Sequence, residues 1–284
     1  MRLMPAPEHP IELSVIAPAH NEQDNVRPLV EEVGRALGPL GISFELVIVD
    51  DGSTDATRER ITGLMRTHPW LRCVAMTKTP PGKGGGQSAA FFAGFSAARG
   101  RLVATLDADL QNDPADIGAM LQMMRETGAD MVQGDRSHAR RDNFVRRIGS
   151  VVGRKFRLWL LGDSIRDTGC SLRVMKREIA VQLPLQFRGM HRFIPVTARH
   201  LGYTVVEMKV NHRARTAGET KYGMGIVQRA LPGLRDLLAV RYMRDRRRPT
   251  DHAEVGTPRT GPGVEVRVSR GSPAPVEAGA GGPN

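Results

Sequence analysis

The strongest constraint on the fold is a regular alternation of short apolar runs with amphipathic segments over the first half of the chain. Each apolar run has the length of a buried strand, and each amphipathic segment repeats its apolar residues at helical spacing. This alternation predicts a doubly wound α/β fold with a mostly parallel sheet. The expected strands are residues 12–17, 44–49, 71–76, 102–106 and 130–133, and the expected helices are 23–37, 56–66, 87–98 and 115–126.

The second half is less regular and predicts an α+β extension of that sheet. We expect one domain over residues 11–243, in two halves (11–135 and 136–243), between an N-terminal extension, 1–10, and a tail, 244–284. In the tail Pro, Gly, Ala and Arg dominate without periodicity, which predicts disorder. The second half is expected to hold a basic amphipathic helix over 141–161, short helices over 177–182 and 193–200, a strand over 203–210 and a last helix over 225–243.

A cluster of oxygen donors follows directly after the fourth expected strand. Asp107, Asp109 and Gln111 come within five residues of its end, and Pro114 starts the next helix. Open α/β sheets bind ligands at the carboxyl ends of their strands. Carboxylate and amide oxygens suit Mg²⁺ or Mn²⁺ that also holds substrate phosphates. Helix capping is the alternative; it accounts for Asp113 but not for the other three side chains.

Polar side chains also follow the first two expected strands. His20-Asn-Glu22 comes after the first and Asp50-Asp51 after the second. Since neighbouring parallel strands end at one edge of the sheet, these loops should lie beside Asp107. The first two loops can accept hydrogen bonds from a base and a ribose, while the metal neutralises a diphosphate. The pattern predicts a nucleotide-diphosphate site.

A dinucleotide-dependent oxidoreductase is a rival interpretation. Gly84-Gly-Gly86-Gln-Ser-Ala89 fits the G-x-G-x-x-A pattern between a strand and a helix, and Asp107 follows about 20 residues later. The motif, however, follows the third strand and not the first. It also leaves Asp50, Asp51 and Asp109 without a role.

The charge of the chain points to an anionic partner. Its net charge is +11, and residues 136–157 hold eight Arg or Lys against one acid. Nucleic acid is not expected, because the few aromatic residues do not interleave with the basic runs. No stretch has the length of a membrane span, no signal peptide is expected, and two cysteines indicate a reducing cytoplasm.

Four motifs follow one another along the first half of the chain. They are Pro18-x-His-Asn-Glu22, Asp50-Asp-Gly-Ser-Thr-Asp55, Gly84-x-x-x-Ser88-Ala89 and Asp107-Ala-Asp-Leu-Gln111. In this order and at these spacings they resemble the series found in family 2 glycosyltransferases of the GT-A fold, a Rossmann-like sheet. The closer likeness is to dolichol- and polyprenol-phosphate mannosyltransferases and to undecaprenyl-phosphate sugar transferases, over about residues 11–243. Gly134-Asp-Arg136, Asp167-Thr-Gly-Cys-Ser-Leu-Arg173 and the run His212–Tyr222 resemble the acceptor half of the polyprenol-phosphate branch.

The resemblance implies roles for single residues. The donor nucleotide would be bound by Pro18, Asn21, Glu22, Asp50, Asp51, Ser53, Lys83 and Asp107. The metal would be held by Asp107, Asp109 and Gln111, and the acceptor phosphate by Arg136, Arg146, Ser150, Arg213, Lys221 and Tyr222. Asp109, Arg136 and Asp167 would be the catalytic residues. His20 stands where the family usually has an aromatic residue.

The implied reaction is an inverting, metal-dependent transfer of one sugar, mannose or a related hexose, from a GDP- or UDP-linked donor to a polyprenyl phosphate. An acceptor phosphate is mostly a dianion at neutral pH and needs no strong base. A hydroxyl acceptor, the alternative, would need one, and Asp167 is the candidate. The basic helices are expected to contact an anionic membrane surface on its cytoplasmic side. Many relatives carry C-terminal membrane spans, so a separate membrane-spanning partner is a further expectation.

Overall fold

The protein is described by a computed structural model for residues 11–80, 82–137, 153, 155–213 and 226–248. Seven strands form one sheet in the order β3-β2-β1-β4-β6-β5-β7. The strands are β1 (Leu13–Ala19), β2 (Phe44–Asp50), β3 (Leu71–Ala75), β4 (Leu102–Thr105), β5 (Met131–Asp135), β6 (Arg173–Lys176) and β7 (Val205–Lys209). The predicted strands of the first half are all present, with ends moved by at most two residues.

The helices lie on both faces of this sheet. They are α1 (Gln23–Leu37), α2 (Thr57–Leu64), α3 (Gln87–Ala97), α4 (Asp116–Thr127), α5 (residues 155–161), α6 (Arg177–Gln182), α7 (Ile194–His200) and α8 (Ile226–Arg246). Short 3₁₀ turns follow α1 and precede α7. Of the predicted basic helix over 141–161, only residue 153 and α5 belong to the described part. The last helix continues to Arg246, three residues past its predicted end at Met243 and into the predicted tail.

Side chains that alternate along the strands contribute to two separate hydrophobic cores, one on each face of the sheet. Val15 of β1 packs with α1, α2 and α4 on one face, which we call the first face, whereas Ile16 packs with α3, α6, α7 and α8 on the second face. Gly94 lets α3 approach β1 closely, because a Cβ atom there would lie 2.3 Å from Ile16 Cγ2. The sheet is therefore covered on both sides, as the alternation of elements predicts.

One strand breaks the parallel pattern, and it positions the site. β6 comes from the second half of the chain and inserts antiparallel between β4 and β5, so that Arg173 pairs with both Thr105 and Gln133. Because β6 runs in the opposite direction, its first residues lie at the edge where β4 and β5 end. The segment that leads into β6 therefore lies beside the loop that follows β4.

Candidate active site

The three polar loops predicted to converge do lie on neighbouring strands. β1 pairs in parallel with β2 on one side and with β4 on the other. Their carboxyl ends carry the loops that contain Asn21, Asp50 and Asp107. We call this edge of the sheet the acid edge, and it is the candidate active site.

Asp107 is held by two side chains from distant parts of the sequence. Its Oδ1 accepts a hydrogen bond from Gln87 Nε2 at 2.6 Å, and its Oδ2 accepts one from Ser171 Oγ at 2.5 Å. Burial raises the pKa of Asp107, and the charge of Asp109 raises it further. A divalent cation beside the two acids would relieve their repulsion.

The turn after Asp107 gives Asp109 a fixed position. Leu110 has a φ of 62°, a left-handed conformation that is costly for a residue with a side chain of this size. The turn is closed by Gln111 N, which donates to Asp109 Oδ1 at 3.2 Å, and by Asp107 N, which donates to Asn112 Oδ1 at 3.0 Å. The strained turn therefore brings Asp109, a buried carboxylate, to the end of β4.

The donor atoms at this turn fit a hard cation. Asp107, Asp109 and Gln111 supply only oxygen ligands, which is the preference of Mg²⁺ and Mn²⁺. Within the described residues, no group of three or more His, Cys, Asp or Glu side chains is arranged to hold a metal.

Asp50 and Asp51 end β2 and both bind protein groups. Asp50 is fully buried; its Oδ1 accepts from Ser53 N at 3.0 Å, and its Oδ2 lies 2.5 Å from Arg58 Nε. Asp51 accepts from Gly85 N at 2.7 Å and from Gly86 N at 2.8 Å. In a dinucleotide-binding loop such amides would face a phosphate. Here they face a carboxylate, which argues against the oxidoreductase interpretation.

The loop after β1 interlocks with the turn after β2. Asn21 has a φ of 55°, a conformation that Asn tolerates. Its N–H donates to Ser53 Oγ at 3.0 Å and its Oδ1 accepts from Thr54 N at 2.8 Å. Three of the predicted nucleotide-binding residues, Asn21, Asp50 and Ser53, thus form one hydrogen-bonded unit, while Asp51 binds the glycine loop. The other predicted donor residues are Glu22, which binds Asn25, half-buried Pro18 on β1, and Lys83, which is exposed in the glycine loop.

Arg136 lies just after β5 and forms a two-pronged ion pair with Asp167. The Nε–Oδ2 distance is 2.9 Å and the Nη2–Oδ1 distance is 3.3 Å. Both side chains are largely buried, and Asp167 Oδ1 also accepts from Gly169 N at 3.2 Å. These contacts fix the Arg136 guanidinium at the acid edge. They also occupy the carboxylate of Asp167, whose role as a base stays a prediction.

The other acceptor residues divide into an anchored one and four that cannot be placed. Arg213 pairs with Glu32 of α1 and with Asp113, both at 2.8 Å. These pairs tie the segment after β7 to the first half of the chain. Arg146, Ser150, Lys221 and Tyr222 lie outside the described residues.

Some arginines of the basic run over residues 136–157 are bound to acids of the protein itself. Its last member, Arg157, pairs with buried Asp163 at 2.6 Å and donates to Thr168 Oγ1 at 2.9 Å and to the Ile165 carbonyl. Its first member, Arg136, is bound to Asp167. Both ends of this run thus pair with buried aspartates of the second half.

Four residues of the site were not assigned such roles from the sequence. Gln87 and Ser171 hold Asp107 directly. His191 binds the residue next to Gln87: Ser88 Oγ lies 2.8 Å from His191 Nδ1 and accepts from His191 N at 3.1 Å. Arg173, almost fully buried, donates to the carbonyls of His191, at 3.2 Å, and of Cys170. Ser171 and Arg173 stand in a motif that the sequence did single out, which was the one signal for them.

Burial lowers the pKa of two of these groups. It lowers the pKa of His191 to about 3, so that the ring is neutral at physiological pH. It lowers the pKa of Arg173 to about 10, so that this guanidinium stays charged. Arg173 is thus a permanent cation beneath the acid edge, while His191 acts there through hydrogen bonds alone.

Three comparisons place the chain among known proteins. Dodecaprenyl-phosphate galacturonate synthase of Rhizobium johnstonii is 38% identical over 252 residues, which cover 86% of this chain and 70% of the relative. Undecaprenyl-phosphate 4-deoxy-4-formamido-L-arabinose transferase of Edwardsiella ictaluri is 34% identical and covers 75% of this chain; the match spans only 63% of that relative. These names confirm the resemblance to polyprenyl-phosphate sugar transferases.

The solved structures agree on the fold. Glucosyl-3-phosphoglycerate synthase of Mycobacterium tuberculosis, in a complex with Mn²⁺, UDP and glucosyl-3-phosphoglycerate, superposes with a TM-score of 0.58 at 20% identity. The match covers 86% of this chain and 83% of that one, and confirms the GT-A fold. Residues 14–183 match the family described as glycosyl transferase family 2, and the chain therefore belongs to that family.

Proposed function

We propose that this glycosyltransferase moves one sugar from a nucleotide-sugar donor to a polyprenyl phosphate at the cytoplasmic face of the membrane. The observation that carries the proposal is the Arg136 guanidinium, fixed by Asp167 at the edge of the sheet that bears Asp107 and Asp109. An acid pair suited to a metal and a fixed cation are what two phosphate-bearing substrates require. The relatives named for polyprenyl phosphates support this acceptor.

On the donor side, the interlocked loops of Asn21 and Asp50 would bind the nucleoside, and Asp107, Asp109 and Gln111 would hold Mg²⁺ or Mn²⁺. Such a cation stabilises the charge that develops on a nucleoside diphosphate leaving group. The chain's own contribution is preorganisation, because Gln87 and Ser171 already orient both oxygens of Asp107.

On the acceptor side, Arg136 would bind the phosphate together with Arg146, Ser150, Lys221 and Tyr222. A phosphate monoester is mostly a dianion at neutral pH, so it attacks the anomeric carbon without help from a base. The pairing of Asp167 with Arg136 fits this reaction better than a hydroxyl acceptor, which needs a free carboxylate. Direct attack would invert the anomeric centre.

The proposal also concerns which sugar is transferred and which nucleotide base the donor carries. The sequence resemblance favours mannose or a related hexose, linked to GDP or UDP. The two relatives are named for galacturonate and for a formamido-arabinose. A decisive assay therefore offers all of these as labelled nucleotide sugars, with Mn²⁺ and undecaprenyl phosphate, to the full chain.

We expect labelled lipid only when the metal and one of these nucleotide sugars are present. Undecaprenol, the alcohol with the same polyprenyl chain, serves as the hydroxyl control. Transfer to the alcohol but not to the phosphate would replace the proposal with the hydroxyl-acceptor alternative. The same assay on extracted membranes, with and without their integral proteins, would show whether a separate membrane-spanning partner is needed.

A further inference from the structure

A cleft of about 380 Å³ lies between the ends of α6 and α7 and the last turns of α8. Its floor is apolar, with Pro184, Leu201, Val240 and Met243 among the lining residues. Its rim carries Arg244, Arg246 and Arg247. The cleft is separate from the acid edge, because α6 follows the end of β6 and β7 begins after α7, at the opposite end of the sheet.

Among the described residues, carboxylates neutralise only part of the cationic rim. Residues 241–248 contain five arginines and one acid, Asp245, which is shared by Arg241 and Arg244. In the described part of the chain, Arg246 and Arg247 have no carboxylate partner. The Arg246 guanidinium lies over the Tyr242 ring, 5.8 Å from its centre, and Arg247 donates to the His200 carbonyl at 3.4 Å. An apolar floor under unpaired guanidinium groups suits an anionic amphiphile.

The cleft opens onto an apolar stripe along α8. Leu234, Leu238 and Tyr242 are spaced four residues apart and are 38%, 51% and 64% exposed, while Val240 on the other side of the helix is buried. The stripe is about 12 Å long at the rise of an α-helix. Tyr242 belongs both to the stripe and to the cleft, so the two form one continuous surface.

The neighbouring helix extends this surface. Arg241 Nη1 donates to the Leu160 carbonyl at 2.8 Å, which fixes α5 beside α8. On α5, Phe156, Leu158 and Trp159 are exposed, Trp159 to 75%, and the Phe156 and Trp159 rings lie 5.7 Å apart. Exposed aromatic and aliphatic residues among arginines are typical of a helix surface that lies in a lipid interface.

We propose that the α5–α8 face docks on an anionic bilayer and that the cleft binds the phosphate headgroup of an acidic phospholipid. A second copy of the chain is a poorer occupant, because a symmetric contact would bring the arginines of both copies together. A peptide would fill the cleft but leave Leu234 and Trp159 exposed. The inference rests on the proposed function in so far as a lipid acceptor requires contact with a membrane. Its test, however, requires neither the sugar donor nor the lipid acceptor.

The test measures sedimentation of the full chain with vesicles that contain no polyprenyl phosphate. One set is phosphatidylcholine, and in the other set part of it is replaced with phosphatidylglycerol. We expect the chain to bind the second set and Arg246→Gln/Arg247→Gln to bind it about 25-fold more weakly, since each arginine near an anionic surface is worth about fivefold. Trp159→Ala and Leu238→Ser should weaken binding to the same vesicles.

The matched control is Arg66→Gln/Arg125→Gln, which removes the same charge from exposed positions beside α2 and on α4, on the first face of the sheet. It should bind as the unchanged chain does. Equal binding by the cleft variant, equal loss in the control, or no preference for phosphatidylglycerol would overturn the proposal. A dimer in sedimentation velocity that Leu238→Ser dissociates, without vesicle binding, would assign the face to a second copy instead. Thermal unfolding of each variant shows that it is folded.

Discussion

The two halves of the chain build the acid edge in different ways. The first half provides Asp50, Asp107 and Asp109 from the ends of regular strands, and hydrogen bonds between sequence neighbours shape the turns that carry them. The second half provides few groups that face a donor, but it provides the groups that hold the first half: Ser171 on Asp107, and His191 on the residue next to Gln87. The nucleotide half is therefore preorganised by the acceptor half.

This difference predicts how substitutions in each half should affect activity and stability. Changes to Asp109 should remove function without unfolding the chain, since relief of its repulsion with Asp107 offsets the hydrogen bond that is lost. Changes to the buried groups of the second half should alter both stability and the use of substrate, since they support the site from beneath.

The largest effect is expected for Asp109→Ala. The variant removes a carboxylate of the acid pair and should lower kcat by about 10²–10³-fold or more. The unfolding temperature should stay unchanged, because relief of the repulsion with Asp107 offsets the lost hydrogen bond from Gln111. Steady-state transfer with saturating Mn²⁺ measures it. Asp24→Ala, which removes an exposed carboxylate paired with Arg60, is the control and should leave kcat unchanged. Full activity of Asp109→Ala would show that Asp109 holds no metal that the transfer requires.

A large effect is also expected for Asp167→Asn. The amide cannot balance the charge of Arg136, and breaking a buried ion pair costs about 3 kcal/mol or more. We expect a lower unfolding free energy and a higher KM for the acceptor, with a smaller change in kcat. Denaturant unfolding and acceptor titration measure the two effects. If kcat alone collapsed and its dependence on pH lost the acid limb, Asp167 would be the base of a hydroxyl transfer.

The third prediction concerns His191. Its pKa is lowered to about 3 by burial, so the folded chain binds fewer protons than the unfolded chain between that value and the ordinary 6.5. Stability is therefore lost as the pH falls below 6.5, by ~2 kcal/mol at pH 5. His191→Asn, which keeps a hydrogen-bonding side chain, should lose correspondingly less between pH 7 and pH 5.

The same variant tests whether His191 positions the donor site. Asparagine is shorter than histidine and should weaken the side-chain contact with Ser88, which Ser88→Ala removes altogether. Each change should therefore raise the KM for the donor, and the double variant should be little worse than Ser88→Ala. Strict additivity would mean that Ser88 and His191 act independently, and an unchanged KM in both variants would mean that their contact does not support the donor site. Unfolding by denaturant at the two pH values and donor titration at pH 7 supply the measurements.

Much of this fold could be predicted from the sequence, and the reason is local. The apolar runs of β1, β2 and β4 fix which residues are buried, and the polar residues that follow each run fix the acid edge. The roles of Ser171 and His191 could not be predicted, because they depend on contacts between residues far apart in the sequence. Ser171 lies 64 residues from Asp107, and His191 lies 103 residues from Ser88. They follow from the antiparallel insertion of β6, which no short-range pattern indicates.

The smallest effect is expected for Arg213→Gln, which removes the link between the two halves at the surface. Arg213 pairs with Glu32 and Asp113, but its side chain is 40% exposed, so water and salt weaken both pairs. The free energy of unfolding should fall by less than about 1 kcal/mol and less still at high salt. If the KM for the acceptor rises while stability barely changes, Arg213 also binds the acceptor phosphate. If both stay constant, it only ties the segment after β7 to α1.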